Sequence, residues 1–330
     1  MSTQDIPTRP TVCVFGGGGF VGHHLSALLA RQGWRVLVPT RRRESVKALA
    51  VLPTVEVVEA DIHDPAVLKQ LLHGAAAAIN LVGLLHETAT GPVDTPRVRR
   101  GSFRYAHVEL PRKIIQACFA AGVPRLLHMS ALGADPISHS AYQRSKAAGE
   151  ETMREAQKHL QVTIFRPSVI FGPGDRFLSL FSRLLRLSPV VPLAGGKARF
   201  QPVYVQDVAQ AFASALLRPD SIGRTYNLCG PRIYTLAELL RLTARELGLR
   251  RWIIPLGHRT SYWFARIMEL KPGRKLMTRD NLYAMLTDNV CGTPPDPVFA
   301  CDTTLESVIG YLHEQDPRRA YTRHRAIAGR

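Results

Sequence analysis

Acidic residues are scarce in this chain: 26 Asp and Glu stand against 43 Lys and Arg in 330 residues, a formal net charge of +17 at pH 7. Such a surplus attracts phosphates, anionic lipid or an acidic partner without choosing among them. Nucleic acid is not expected as a partner, because the cations are scattered and neither zinc-finger spacing nor an aromatic-rich single-strand motif accompanies them. Cysteine is sparse too. Cys13, Cys118, Cys229, Cys291 and Cys301 show no CxxC spacing, so neither a disulfide framework nor a metal site is expected. No run approaches the roughly 20 apolar residues that cross a bilayer, and MSTQDIPTRP lacks the apolar core of a secretory signal. The expectation is a cytoplasmic protein. Internal repeats and low-complexity tracts are also missing. What the chain has in quantity is core material: hydrophobic residues make up 45% and charged residues 21%, a balance that excludes disorder as the main state.

Short β-branched runs at 11–16, 35–40, 55–61, 75–83 and 125–131 alternate with helix-length segments. That alternation predicts βαβ units, hence an α/β doubly wound parallel sheet covered on both faces. Runs at 162–172 and 225–231 could extend the sheet. The stretch HETATGPVDTPRVRRGS, 86–102, reads as a long loop, of the kind that is often functional.

The strongest local signal is FGGGGFVGHHL at 15–25. It follows a strand and opens a helix, the setting a dinucleotide-binding fingerprint requires. Gly16 permits the tight turn, Gly19 lets main chain approach a pyrophosphate, and Gly22 allows close helix packing, while Phe20 and Val21 stand where free helix-start amides meet phosphate. After the second strand comes Thr40-Arg41-Arg42-Arg43 instead of an acidic residue. Arg41 and Arg42 would welcome a 2′-phosphate, so NADP(H) is favoured over NAD(H), although a solvated basic loop would read the same way. Asp61 and Ile62 are placed to meet the adenine edge, or to serve as a plain turn and a core aliphatic. Tyr142 and Lys146, four apart on a helix, share a face, so the ammonium can ease ionisation of the phenol and hold the nicotinamide ribose.

Gly16-x-x-Gly19-x-x-Gly22, Asp61, the strand end Asn80 to Gly83, Ser130 and Tyr142-x-x-x-Lys146 resemble the extended and atypical short-chain dehydrogenase/reductase superfamily. Within it, residues 166–185, 201–212 and 277–289 are similar to the group formed by the nucleotide-binding accessory subunit of respiratory complex I and its bacterial relatives. The resemblance implies that Leu81, Val82, Gly83, Pro167 and Val169 line the cofactor and that Ser130 joins Tyr142 and Lys146 as the catalytic set. Three departures stand out: Ser130 is followed by Ala131 and Leu132 where a second hydroxyl is usual, His107 replaces an Asn of the fourth helix, and Val203 replaces a histidine. Asp207 reads as a helix cap.

The domain boundaries expected are a polar tail at 1–10, a dinucleotide-binding domain at 11–172 completed by 201–231, a smaller lobe at 173–200 and 232–315, and a basic tail at 316–330. The resemblance implies an NADP(H)-binding protein whose nucleotide is structural or regulatory. An active oxidoreductase or epimerase on a hydroxyl or carbonyl substrate is the alternative, and a peripheral membrane or respiratory assembly factor a third. The segment 260–280, basic and aromatic, could meet a respiratory complex or the anionic surface of the inner membrane, or simply pack as an ordinary helix. Oligomeric state is left open.

Overall fold

The computed structural model describes residues 9–87, 98, 100–270, 278–292 and 297–314. Most of the expected long loop, residues 271–277 of the basic aromatic segment and the basic tail at 316–330 lie outside the described residues. The chain divides into two compact units, Met1–Arg166 with Val208–Tyr226, and Pro167–Asp207 with Asn227–Arg330. This division puts 167–172, 201–207 and 227–231 in the second unit.

The first unit is built on β1 (Thr11–Phe15), β2 (Arg35–Thr40), β3 (Val55–Glu59), β4 (Ala77–Asn80), β5 (Arg125–Met129), β6 (Gln161–Pro167) and β11 (Thr225–Leu228). They form one seven-stranded sheet in the order β11-β6-β5-β4-β1-β2-β3. Pairing is parallel from β3 to β6, and β11 continues in the same sense, with Gly223 N on Val162 O and Ile164 N on Arg224 O. Strand order reverses between β1 and β4, so the crevice at their carboxyl ends is where an open α/β sheet takes a ligand. Helices α1 (Phe20–Arg31), α2 (Lys47–Ala50), α3 (Pro65–Leu72), α4 (Leu110–Ala121) and α5 (Ala141–Ala156) make the crossovers, and α7 (Val205–Ala215) leads towards β11. Their starts are legible in the chain: Asp64 caps α3 with Pro65 at its first position, and Ser140 caps α5. Phe15, Leu68, Leu72, Ile114, Cys118 and Met153 centre a continuous core.

Two strands differ from expectation. The run 75–83 is a strand only over Ala77–Asn80, which leaves 81–83 outside it. The run 162–172 breaks after Pro167, and β7 (Ile170–Phe171) pairs instead with β10 (Val203–Tyr204). Proline cannot donate to a ladder, and Asn289 Oδ1 takes up the Val169 amide at 3.1 Å.

The second unit adds α6 (Phe177–Leu187), β8 (Val190–Leu193), β9 (Arg199–Phe200), β12 (Tyr234–Thr235), α8 (Leu236–Glu246), β13 (Trp252–Pro255), α9 (His258–Leu270) and α10 (Arg279–Ala284). A capping box between Thr235 and Glu238 starts α8. Phe181, Leu185, Leu239, Leu240, Leu305 and Leu312 form the core of this unit. Asp207 is not an N-cap. It sits in the first turn of α7, and its carboxylate accepts from Thr303 N and Oγ1 at 3.2 and 2.9 Å.

The expectation of no disulfide is corrected. Cys229 and Cys291, 62 positions apart, are bonded. Spacing could not reveal the pair, because main-chain and side-chain bonds bring the segments together: Gln201 Nε2 donates to Gly230 O at 2.7 Å, and Cys291 N donates to Gln201 Oε1 at 3.0 Å. Cys13, Cys118 and Cys301 are buried free thiols. Closing a loop of this length restrains the unfolded chain by about 4 kcal/mol in the chain-entropy account. Cys229→Ser and Cys291→Ser should each lower the unfolding free energy by up to that amount, the double variant no further, and dithiothreitol should reproduce the loss in the parent. A denaturation midpoint indifferent to reductant would refute this.

Candidate functional site

The fingerprint glycines occupy a turn that side chains would fill. Gly16 has φ +83°, and a Cβ there would stand 3.1 Å from the Leu81 carbonyl carbon and 3.2 Å from the Val82 nitrogen. At Gly22 a Cβ would collide with Gly16 O and lie 2.6 Å from Gly17 Cα, so α1 can begin against the turn only with glycine at this position. Gly19 is the N-cap residue of α1, has no side chain to cap it, and the first turn holds no acidic residue. Main-chain amides of Phe20, Val21 and Gly22 thus begin the helix with no side-chain acceptor, and the macrodipole adds partial positive charge. The side chains play another part: Val21 is buried in the core, and Phe20 meets His24 edge-on at 5.7 Å. A cradle of this shape and polarity fits a pyrophosphate.

Around it the predicted residues divide. Leu81 N bonds Phe15 O at 2.9 Å and Val82 N bonds Asn80 Oδ1 at 3.1 Å, which fixes the 81–83 segment beside the glycines. Arg41, Arg42 and Arg43 follow the end of β2 and are exposed, and Arg43 Nη2 donates to Val57 O at 3.0 Å. Asp61 accepts from His63 N at 3.0 Å and from Arg100 Nη2 at 2.8 Å, and these bonds hold its carboxyl below the usual carboxylate range. Ile62 and Val82 are half-buried and packed on the main core, the alternative weighed for Ile62. Pro167 and Val169 belong to the second unit, where Asn289 Oδ1 also accepts from Ser168 Oγ at 2.6 Å.

Lys146 is buried, with its Nζ donating to Met129 O at 3.2 Å and lying 3.2 Å from the point where a Gly83 Cβ would stand. Burial lowers its pKa to about 8 against an opposing pull from Glu150, one turn along. Glu150 is itself fully buried and accepts from Arg166 Nε at 2.7 Å and Arg154 Nη2 at 2.6 Å. Tyr142, on the same face of α5, is half-buried, its ring edge-on to Phe103 and His107 at 5.8 and 5.7 Å. Ser130, immediately after the carbonyl that Lys146 holds, has a buried Oγ with no hydrogen-bond partner. An unpartnered buried hydroxyl costs about 1–3 kcal/mol, a cost that a ligand oxygen would remove. Ala131 and Leu132 supply no second hydroxyl.

His107 is buried and hydrogen-bonded through both ring nitrogens. Its Nε2 accepts from Leu84 N at 2.9 Å, so the ring proton sits on Nδ1, which donates to Ser145 Oγ at 2.8 Å, and Ser145 in turn donates to Tyr142 O at 2.7 Å. Burial, then the nearby Lys146 ammonium, pushes the His107 pKa well down, and His128 falls to about 3 for the same two reasons. His107 lies in a π-helical turn, Tyr105–Glu109, closed by Leu110 N on Tyr105 O. Pro111 explains it: without an N–H it cannot bond the His107 carbonyl, and that carbonyl faces Gly149 so closely that a Cβ would collide. A proline four residues after the histidine was the available signal. Ser145 and Gly149 carried no comparable sign.

Among the described residues no cluster of three or more His, Cys, Asp or Glu could hold a metal, and no helix is long and apolar enough to cross a membrane.

At neutral pH the folded chain must carry the Lys146 ammonium against its burial, a cost relieved between about 8 and 10.5, where the unfolded chain retains a proton that the folded chain has released. Lys146→Met leaves Glu150 with two arginines, so the variant without nucleotide should be more stable than the parent at pH 7, by roughly 1–3 kcal/mol. The difference should shrink as pH rises through that window. Urea titrations across pH would disprove this by a constant difference.

Comparison with known proteins follows this geometry. The profile of the NAD dependent epimerase/dehydratase family matches residues 12–229. The NADH dehydrogenase [ubiquinone] 1 alpha subcomplex subunit 9 of Rattus norvegicus is 32% identical over 286 residues, 85% of this chain and 72% of that protein. Its counterpart in Arabidopsis thaliana is 36% identical over 69% of this chain and 56% of its own length. A ceramide reductase of Caulobacter vibrioides is 34% identical over 75% and 74%. Among solved structures, DesIV, a dTDP-glucose 4,6-dehydratase from Streptomyces venezuelae with NAD and TYD bound, superposes with a TM-score of 0.71 over 92% of this chain and 97% of that one, at 20% identity, a likeness of fold. On the strength of the glycine turn, the Tyr142–Lys146 pair and these matches, the chain belongs to the NAD dependent epimerase/dehydratase family.

Proposed function

We propose that the first unit binds a dinucleotide, NADP(H) in preference to NAD(H), and that the bound nucleotide acts as a structural or regulatory ligand. One observation carries the reading: the amides that open α1 have no side-chain cap and face a turn in which a Cβ at Gly22 would collide with main chain and one at Gly16, at φ +83°, would crowd it. Exposed Arg41 and Arg42 support the 2′-phosphate preference, since a guanidinium holds phosphate by charge-assisted bonds. The similarity to respiratory subunits supports a respiratory complex as partner.

NADPH should therefore raise the unfolding free energy by about 3 kcal/mol at a hundredfold excess over its dissociation constant. Arg41→Ala with Arg42→Ala should weaken NADPH by about ten- to a hundredfold and NADH by little. Calorimetric titration showing equal losses for the two nucleotides would overturn the preference.

A second reading, catalysis at a carbonyl or hydroxyl, is favoured by the orphaned Ser130 hydroxyl. When bound, the nicotinamide supplies or accepts a hydride. The residues do the rest. Ser130 Oγ donates to the substrate oxygen, Tyr142 gives that oxygen its proton or removes it, and the Lys146 ammonium favours the ionised phenol. His107, through Ser145, fixes the first turn of α5 that carries Tyr142. The ceramide reductase among the relatives makes lipid-linked ketones the first compounds to assay. Tyr142→Phe should bind NADPH as the parent does and lose NADPH oxidation by about a hundredfold or more. Turnover in the parent no faster than in Tyr142→Phe, with binding intact in both, would leave the structural reading alone.

A further inference from the structure

The ribbon made by β8 and β13 in the second unit has two apolar faces. Register sets Trp252 beside Val190, Ile253 beside Val191 and Ile254 beside Pro192. Partners across parallel strands and residues two apart share a face. The inward set, Val191, Leu193 and Ile253, packs into the core of this unit. Sheets with one solvated face ordinarily turn polar residues outward, yet the outward set here is Trp252, Ile254, Val190 and Pro192, with Trp252 76% and Ile254 47% exposed. Leu187, where α6 runs into β8, is exposed as well.

The chain segments that carry the ribbon are basic. The segments 176–206 and 247–268 contain no Asp or Glu and nine Lys or Arg. Arg251 Nε is bonded to Leu185 O and its Nη1 to Arg250 O, so that guanidinium is spent on main chain, while Arg250 beside it is exposed. Five outward apolar side chains are few for a protein interface, which takes about 800 Å² from each partner. They are sufficient for a shallow seat in lipid headgroups, where tryptophan is favoured and cations meet anionic phosphate.

We infer that the outward face of β8–β13 is a docking surface for an anionic lipid bilayer, with Trp252 and Ile254 entering the interfacial layer and Arg250 against the headgroups. The surface shares no residue with the nucleotide cradle, so either proposal can fail without the other. It is also distinct from the 260–280 helix of the sequence expectation.

The full-length chain should co-sediment with phosphatidylcholine vesicles containing about one third phosphatidylglycerol, and far less with phosphatidylcholine alone, with binding weakened by salt. Trp252→Ser with Ile254→Ser should cut the partition at least about tenfold while the circular-dichroism melting curve stays in place. Equal binding to both vesicle types, or undiminished binding by the double variant, would overturn the proposal. Should the double variant fail to fold, brominated lipid supplies the test: in a Trp263→Phe background, where Trp252 and the buried Trp34 alone emit, it should quench the Trp252 share of the emission, and no quenching would overturn the inference. A double variant that turns a dimer into a monomer on ultracentrifugation, with vesicle binding intact, would make the ribbon a contact between copies of the chain and reject the lipid reading.

Discussion

Lys146 brings its ammonium to the carboxyl edge of a parallel sheet where the carboxylate that acts on it, Glu150, is already held by Arg154 and Arg166. The cation is left to main-chain oxygen and to two histidines that its own field, on top of burial, keeps neutral. Much else in the first unit follows from accommodating it. Gly83 passes close to Nζ, where a Cβ would crowd the ammonium. His107, uncharged, can present one ring nitrogen to a main-chain amide and the other to Ser145, which it could not do as an imidazolium. The arrangement costs stability in the chain alone, and functional sites commonly carry such a cost.

The glycine turn and the Tyr142–Lys146 pair were legible because their chemistry is local. A turn that needs φ > 0 and an open helix start must show its glycines in order, and two residues four apart on a helix share a face whatever surrounds them. The doubly wound sheet followed from alternating apolar runs for the same reason. The His107 network was not legible in that way. It depends on a π-helical turn forced by Pro111 and on Gly149 approaching from another helix, and neither is a property of the histidine or its immediate neighbours. The Cys229–Cys291 bond likewise depends on Gln201 gathering two distant segments. Asn289 was visible only as part of a resembling stretch, yet its side chain receives Ser168 and Val169 just beyond the end of β6.

The basic surplus resolves into separate uses. Arg125 is buried and spends its donors on Gln161 O, Thr163 Oγ1, Ala215 O and Ser221 Oγ, a purely structural junction. Arg154 and Arg166 neutralise Glu150, and Arg43 holds a carbonyl of β3. Arg41, Arg42 and Arg250 are exposed, in two places and on two units. Net charge by itself could not have separated the structural cations from the others.

The first unit is interrupted in sequence: after Arg166 the chain contributes Pro167–Asp207 to the other unit before Val208–Tyr226 returns. On the ribosome, β6 is therefore finished well before β11 exists to cover its outer edge. At synthesis rates of about 5–20 residues per second the bare edge persists for some seconds. An uncovered strand is a template for pairing with any other nascent chain, so the layout of this gene product makes its yield depend on what shields that edge while translation continues.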